Sequence, residues 1–398
     1  MTPATQPNGS PPTPLDAPAS NGRRVDHTPF DDARHEAFAE RMIGCINGAA
    51  LSLFTSIGHR TGLFDAMSEL PPSTSQQVAD AAGLDERYVR EWLNGMVAGR
   101  IIDYDPGART YRLPPEHAAW LTRAASPNNL AVTTQFVGMM GTMEGRIIER
   151  FRHGGGVAYE DFPCFHTLMA EESSQTVVAA LTDHILPLML GIEDRLAEGI
   201  DVLDVGCGSG YAICKLAEIY PNSRFRGLDL CDDAIAAARD HAASLGIENV
   251  EFVQGDATRL PSERDYDLIV TFDAIHDQAH PGAVLRNIHR ALRPDGLYLM
   301  QDIGLSSRVE KNIEHPLGPF TYCISCMHCM TVSLAQGGEG LGAAWGVELA
   351  EQMLNDAGFM NLEQHTLEHE FMNAFFVCRP SLPAELTGSN GVSLTSHH

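Results

Sequence analysis

Three glycines at alternate positions, Gly206, Gly208 and Gly210, follow an apolar run and precede a segment with apolar residues at helical spacing. This pattern predicts a buried strand, a tight turn and a helix. Side chains in such a turn would hold a ligand away from the backbone, so the glycines indicate that a ligand packs against bare main chain where the helix begins. An acid, Asp204, lies just before the turn.

Two later apolar strands also end in acids, Asp229 and Asp256. In a doubly wound sheet the carboxyl ends of parallel strands share one edge, and ligands bind there. Asp229 suits a ribose diol, and Asp256 can accept a hydrogen bond from an adenine amino group. The sequence therefore predicts an α/β fold with strands over 202–205, 224–230, 250–257, 266–273 and 297–300.

The order of glycine turn, two acids and fourth strand resembles that of the class I S-adenosylmethionine-dependent methyltransferases, over about residues 201–380. Enzymes that bind NAD usually carry G-x-G-x-x-G, whereas Tyr211 and Ala212 follow Gly210 directly, which disfavours NAD. The resemblance implies a Rossmann-like sheet, an enzyme and S-adenosylmethionine as cofactor. The cofactor-binding residues that it implies are Asp204, Gly206, Gly208, Gly210, Asp229, Leu230, Asp256, Ala257 and Phe272.

His276 is the candidate catalytic base, because it follows the fourth strand at the ligand-binding edge and an imidazole can accept a proton near neutral pH. Ile275-His276-Asp277 is similar to the Leu-His-Asp step of small-molecule O-methyltransferases. That resemblance implies that His276 deprotonates the hydroxyl group of a small acceptor. Gln278 stands where the family usually has tryptophan, and a structural role for His276, as a helix cap or a wall, stays open.

A cysteine cluster, Cys323-x-x-Cys326-x-His328-Cys329, could bind zinc or a soft acceptor such as a trivalent metalloid. On a helix this spacing does not wrap one tetrahedral ion easily, so we expect no metal and expect His328 and Cys329 to line the acceptor pocket. Two other functions stay open. One is S-methylation of a thiol, thioether or metalloid, and the other is a transcriptional regulator that senses S-adenosylmethionine without turnover.

Two further segments are candidates for the acceptor site. Residues 159–165 are rich in aromatic side chains, and residues 337–346 contain five glycines and suggest a mobile loop that closes on the acceptor. Each segment is also compatible with an ordinary structural loop. The predicted acceptor residues are Tyr159, Phe165, His166, His328, Cys329 and Trp345.

The N-terminal half is predicted to be mostly helical. Apolar residues recur at helical spacing from Phe38 to Ile57, interleaved with Gly44 and Gly48, and the resemblance implies a homodimer through such helices. Two helices capped by Ser75 and Asp85, followed by two short strands, predict a winged helix. Acidic residues outnumber arginines eleven to eight over residues 36–123, so we expect a dimerisation module rather than a DNA reader.

Composition bounds the remaining possibilities. A net charge of −25 disfavours nucleic acid and anionic membranes as partners, and nine cysteines without regular spacing suggest reduced thiols in a cytoplasmic enzyme. We expect no membrane-spanning segment, because no apolar run approaches the roughly 20 residues that a span needs. The predicted divisions are a disordered tail over 1–33, the winged-helix domain over 34–123, a helical connector over 124–199, the methyltransferase domain over 200–380 and a second tail over 381–398.

Overall fold

The structure, a computed structural model, describes residues 29–163, 165–260, 265–370 and 372–380. Nearly all of the predicted N-terminal tail and the whole predicted C-terminal tail lie outside these ranges. The chain divides into two compact units, residues 1–46 and 47–398. The boundary between the two units falls within the first helix and coincides with none of the predicted domain boundaries.

Helix α1, Asp32–Arg60, is long and apolar enough to cross a membrane by length and composition alone. A single helix of this kind near the N-terminus is weak support for a membrane span, because core helices and signal sequences pass the same test. In the first unit its side chains are exposed, including Phe38, Met42 and Ile46. In the second unit its end is buried around His59.

The predicted winged helix is formed by helices and a two-stranded antiparallel sheet in the second unit. A Cβ on Gly58, Gly95 or Gly99 would meet the side chains of Trp92, Phe54 and Leu51 within 2.5 Å, so these glycines allow residues 51–58 and the fourth helix to approach closely. Gly44 and Gly48, which the sequence analysis connected with a homodimer, have open space around them. The elements are α2 Leu63–Ser68, α3 Ser75–Ala82, α4 Glu86–Ala98, β1 Asp103–Asp105 and β2 Thr110–Arg112.

The helix starts follow ordinary capping chemistry. Thr74, one residue before the predicted Ser75, caps α3 in a capping box with Gln77, and Asp85 caps α4 as predicted by accepting from two backbone N–H groups. Thr74 is the better cap because its extended backbone directs the hydroxyl back to the N–H of Gln77.

The connector is helical, as predicted, but not regular throughout. The buried face of its longest helix, Gln135–His153, is rich in methionine, and the predicted helix over 174–190 is replaced by π-helical turns at Ser174–Val178 and Leu181–Ile185. Such turns are often found near functional sites. The α-helices are α5 Pro115–Leu121, α6 Leu130–Thr133, α7 Gln135–His153, α8 Phe165–Ser173 and α9 Ile192–Glu198.

A seven-stranded sheet forms the C-terminal half. Its strands are β3 Asp201–Val205, β4 Arg224–Asp229, β5 Val250–Gln254, β6 Tyr266–Phe272, β7 Leu292–Ile303, β8 Asn361–His365 and β9 Asn373–Arg379. The helices between them are α10 Tyr211–Ile219, α11 Asp232–Leu245, α12 Pro281–Ala291, α13 Gly318–Ile324, α14 Met330–Ala335 and α15 Val347–Ala357, and a π-helical turn at Ser325–Cys329 joins α13 to α14.

The strand order is β5-β4-β3-β6-β7-β9-β8. Strands β3 to β7 are parallel, and β9 is antiparallel to both β7 and β8. The chain thus runs outward from β3 to one edge, returns, and runs to the other edge, which places the carboxyl ends of β3 and β6 at the point where the order reverses. Ligands bind at this point in doubly wound sheets. The predicted fold class is confirmed.

Both faces of the sheet are buried. Successive side chains of each central strand point to opposite faces and enter two separate hydrophobic cores. Val202 packs into the core on one face, whereas Leu203 and Val205 pack into the core on the other. Each fully buried aliphatic side chain contributes about 1.5–3 kcal/mol to folding. The sheet is therefore a rigid base for the side chains at its carboxyl edge.

Candidate active site

A cavity of about 330 Å³ opens at the carboxyl ends of β3 to β6. The parallel register brings these strand ends together, although they come from separate parts of the sequence. Of the nine predicted cofactor-binding residues, seven line this cavity and two, Asp204 and Gly210, do not. The seven are Gly206, Gly208, Asp229, Leu230, Asp256, Ala257 and Phe272.

The glycine turn needs glycine for different reasons at each position. All three residues have positive φ, which disfavours side chains. A Cβ on Gly206 would meet Ala274, and one on Gly210 would meet the ring of Phe252 at 2.7 Å, so these two glycines serve packing. A Cβ on Gly208 would meet nothing within 4 Å, and this residue lines the cavity, so it presents bare backbone there.

Asp229 ties the glycine turn to β4. Its Oδ2 accepts a hydrogen bond from the Gly208 N–H at 2.9 Å, and its Oδ1 accepts from the Cys231 N–H at 2.9 Å. A carboxylate has about four lone-pair positions, so both oxygens retain capacity for a ligand hydroxyl in the cavity. Asp256 is held in a similar way, because its Oδ1 accepts from the backbone and hydroxyl of Thr258.

Asp204 lies beneath the turn, fully buried, and its Oδ1 has no hydrogen-bond partner. Burial, together with the charge of Asp229, raises the pKa of Asp204 to about 8. The Asp204 carboxyl group is therefore mostly neutral at pH 7. Asp204 does not line the cavity.

A second cavity of about 390 Å³ adjoins the first and lies under the connector helices. The two cavities share a wall made of Phe165, Met169, Asp273 and Asp277. The predicted acceptor residues divide between them. Phe165 lines both, Tyr159 and His166 line the first, and His328 and Cys329 line the second.

His276 lines the second cavity and is buried. Its Nδ1 lies 2.7 Å from Oδ1 of Asp302, and Nδ1 donates, because a carboxylate only accepts. Its Nε2 lies 3.3 Å from Oδ1 of Asp277, but that oxygen makes no hydrogen bond. Nε2 is thus the ring nitrogen that remains for proton exchange with a ligand.

Asp302 lies fully buried near the end of β7 and holds His276 in place. Its Oδ1 also accepts from the indole N–H of Trp345 at 2.9 Å and from the backbone N–H of Ile303 at 2.8 Å. Sequence reasoning missed this residue. An acid at the end of the fifth strand, at the same sheet edge as Asp229 and Asp256, was the signal that could have found it.

Opposing effects act on the pKa of His276. Burial lowers it, but the charges of Asp302 and Asp277 outweigh burial and raise the pKa well above the ordinary value. The imidazolium form is therefore stabilised, and the neutral form is a stronger base than an exposed histidine.

Asp277 stands between the two cavities. Its Oδ2 accepts from the hydroxyl of Tyr159 at 3.1 Å, and Cys329 Sγ lies within 4.8 Å of its carboxylate. Burial raises the pKa of Tyr159 well above its ordinary value and that of the Cys329 thiol to about 12, so both groups stay neutral. Sequence reasoning treated Asp277 only as the neighbour of His276.

His328 stacks on Phe165, with ring centroids 4.0 Å apart and an angle of 20° between the ring planes. Burial lowers the pKa of His328 to about 4, so the ring is neutral at pH 7. Its side chain is 2% exposed, yet its Nε2 has no hydrogen-bond partner. The stacked pair closes one side of the second cavity.

The prediction for Trp345 is wrong. Its side chain is buried in the core of the sheet domain, lines neither cavity and bonds Asp302 instead. The glycines around it also serve packing, because a Cβ on Gly338 or Gly346 would lie within 2.4 Å of neighbouring backbone. The indole could not cover a ligand without leaving this position.

Two family models match the chain. The Rv2258c-like winged HTH domain matches residues 49–123, and a methyltransferase domain matches residues 196–358. Together they cover the winged helix and most of the sheet described above.

Curated relatives match over shorter stretches. A fatty-acid O-methyltransferase of Mycolicibacterium smegmatis is 36% identical over 26% of this chain and 38% of the relative. A sterol 24-C-methyltransferase of Pneumocystis carinii is 30% identical over 36% of this chain and 37% of the relative. The chain thus spans about two fifths of the length of the curated relatives that it matches.

Solved structures match over nearly their whole length. Human N-acetylserotonin methyltransferase in complex with S-adenosylmethionine has a TM-score of 0.58 and 19% identity, over 86% of this chain and 98% of that one. An O-methyltransferase family protein from Burkholderia thailandensis has a TM-score of 0.61 and 16% identity, over 86% and 98%. At these identities the match shows the shared fold. The chain therefore carries a winged HTH domain followed by a methyltransferase domain.

Proposed function

We propose that the protein transfers a methyl group from S-adenosylmethionine to a hydroxyl oxygen of a small molecule, with His276 as the base. The observation that carries the proposal is the shared wall between the cavities. His276 lines one cavity, the glycine turn and Asp229 line the other, and both cavities reach Asp273 and Asp277.

The residues of the first cavity fit the cofactor. Gly208 offers open backbone, and the Asp229 carboxylate has unused lone pairs for the ribose diol. Leu230 and Phe272 supply apolar surface for the adenine ring. Asp256 can accept from an adenine amino group. Bound S-adenosylmethionine would supply an activated methyl group on its sulfonium.

His276 would accept the hydroxyl proton at Nε2. Nδ1 is committed to Asp302, which fixes the tautomer and stabilises the imidazolium that forms. The proton would thus move from the acceptor oxygen to Nε2, which would leave a lone pair on that oxygen to form the bond to the methyl group. The bond between the methyl group and the sulfonium sulfur would break, and S-adenosylhomocysteine would be the leaving group. The apolar side chains of the acceptor cavity, among them Phe136, Ile303 and Phe320, exclude water from the reacting atoms.

The geometry of the cysteine cluster does not favour a soft metalloid acceptor. Cys323 is exposed, Cys326 is half-buried and Cys329 is buried. Cys323 contacts the sulfur atoms of Met140 and Met327. Of the three cysteines, Cys329 alone lines the acceptor cavity.

A DNA-reading function is also disfavoured. The two arginines of α4 form ion pairs with glutamates of the same helix, Arg87 with Glu91 and Arg90 with Glu86. Phosphate contact would have to break these pairs, and the chain carries a charge of −25. We infer a small-molecule acceptor and no nucleic-acid or membrane partner, which is compatible with a cytoplasmic enzyme.

A homodimer through α1 is supported by the apolar residues that this helix leaves exposed. Phe38, Met42 and Ile46 are exposed in the first unit, and Leu53 and Ile57 are exposed in the second. Exposed apolar stripes of this kind are typical of association surfaces. Light scattering on the full chain tests it, and a monomer mass at micromolar concentration would contradict it.

The transfer itself is tested by incubating the protein with labelled S-adenosylmethionine and a panel of phenols and alcohols. Label in an O-methyl product supports the proposal. Label found only in thioether products from matched thiols would support the sulfur-acceptor alternative instead.

A further inference from the structure

The acceptor cavity has an unusual charge distribution. Three carboxyl side chains other than Asp277 line it, those of Glu172, Asp273 and Glu370. No lysine or arginine is among the described residues that line it. A carboxylate or phosphate on an acceptor would therefore enter a cavity that offers several acid groups and no lysine or arginine, where the one stabilised imidazolium, that of His276, is already paired with Asp302.

Two of these acids belong to the acceptor cavity alone. Glu172 and Glu370 do not line the cofactor cavity, whereas Asp273 lines both. Glu172 comes from α8, and Glu370 from the loop between β8 and β9, where its Oε1 accepts from the Met372 N–H. The presence of Glu172 and Glu370 in the acceptor cavity is thus not explained by the positive charge of the cofactor sulfonium alone.

Asp273 is held between the cavities in a strained conformation. Its φ is +50°, a region that disfavours side chains, and its Oδ2 accepts from the amide groups of Gln301 and Asn373. Its Oδ1 is buried and has no hydrogen-bond partner. Strain of this kind is retained where the position of a side chain matters for function.

His328 independently indicates a polar ligand in the same cavity. Its side chain is 2% exposed and lines the cavity, and its Nε2 has no partner in the described structure. A buried ring nitrogen without a partner costs folding free energy unless a ligand satisfies it. The cavity therefore combines apolar walls with a group of carboxyl side chains and with the neutral ring nitrogen of His328.

We propose that the acceptor is a compact, mostly apolar molecule that carries a basic amine, and that Glu172 and Asp273 bind this amine as an ammonium group. The inference rests on the proposed function in that this cavity holds the acceptor. Its apolar walls, which include Phe136, Ile303, Phe320 and Ile324, suit a ring or a short hydrocarbon.

The protonation of Glu172 and Asp273 should change when an ammonium group binds. Burial, with the charge of Glu370, raises the pKa of Glu172 to about 7, and burial with the charge of Asp302 raises that of Asp273 well above its ordinary value. His276 opposes the shift of Asp273. An ammonium group favours the ionised carboxylates, so binding should release protons below about pH 7.

The test uses three phenols of similar size, namely tyramine, 4-propylphenol and 4-hydroxyphenylacetate, titrated calorimetrically into the full chain saturated with S-adenosylhomocysteine. Tyramine should bind about tenfold or more tightly than 4-propylphenol, because its ammonium group adds charge-assisted hydrogen bonds to the acid groups. We expect 4-hydroxyphenylacetate to bind more weakly than both.

Variants separate the acid group from the rest of the cavity. Glu172→Gln should remove most of the tyramine preference and leave the affinity for 4-propylphenol within about twofold. Glu368→Gln, an exposed neighbour on the loop of Glu370, should leave the order unchanged. Tighter binding of 4-hydroxyphenylacetate than of tyramine, no tyramine binding, or an undiminished tyramine preference in Glu172→Gln would overturn the inference. Failure of S-adenosylhomocysteine to bind would count against the proposed function instead.

Discussion

His276 Nδ1 donates a hydrogen bond of 2.7 Å to Asp302 Oδ1, at the end of the fifth strand of the sheet and next to the wall shared by the two cavities. The pair joins residues 26 positions apart in sequence. It leaves Nε2 as the nitrogen that can accept a proton, and it makes the neutral imidazole a stronger base.

Asp302→Asn should move the pH dependence of kcat/KM. His276 must be neutral to accept a proton, and its pKa is raised, so the wild-type rate should rise with pH through a value above 6.5. Replacing the Asp302 carboxylate removes one of the two main charges that raise this pKa, so the rise should shift to lower pH and the plateau should fall. Asp295→Asn, an exposed change in the same strand, is the control. An unshifted profile in Asp302→Asn would contradict the pairing.

Asp229→Ala should weaken binding of S-adenosylmethionine about 10- to 100-fold, because the change removes the acceptor for the Gly208 and Cys231 N–H groups as well as the expected ribose contact. Calorimetric titration measures it. Asp240→Ala, at an exposed position of α11, should bind as the wild type does. Equal affinity in both variants would remove Asp229 from the cofactor site.

Trp345→Phe should lower the free energy of unfolding by about 1–3 kcal/mol, because Asp302 loses one of three donors while the ring volume is largely kept. Urea denaturation at pH 7 measures the change. A lid role would predict something different, namely unchanged stability with a raised KM for the acceptor.

Glu172→Gln should stabilise the protein more at pH 8 than at pH 5. The pKa of Glu172 is raised to about 7 in the folded state, so folding disfavours its ionised form. This cost is absent below the unfolded pKa near 4.3, grows as the pH rises from there to about 7, and stays constant at higher pH, so it is small at pH 5 and complete at pH 8. Thermal unfolding of wild type and variant at the two pH values tests this, and an equal difference at both would contradict the raised pKa.

The sheet and the glycine turn could be predicted because their signals are local. Short apolar strands that end at or just before Gly206, Asp229 or Asp256 indicate a doubly wound sheet and the edge that binds ligands. The family models and solved structures agree with that part of the prediction.

The acceptor side could be predicted only in part, because it is assembled from distant segments. Trp345 reaches Asp302 from 43 positions away, and Tyr159 reaches Asp277 across 118. Glu172 lies on a helix that sequence periodicity did not connect with any cavity. The roles of these residues follow only from their contacts in the folded chain, because nothing in the sequence around each of them indicates its partner.

Turnover by His276→Ala tests the base role most directly. At saturating S-adenosylmethionine and a hydroxyl acceptor that the wild type methylates, kcat should fall about 100-fold or more, while the Kd for S-adenosylmethionine stays within about twofold, because His276 lines the acceptor cavity and not the cofactor cavity. A kcat within about fivefold of the wild-type value, with the cofactor still bound, would show that His276 is not the base.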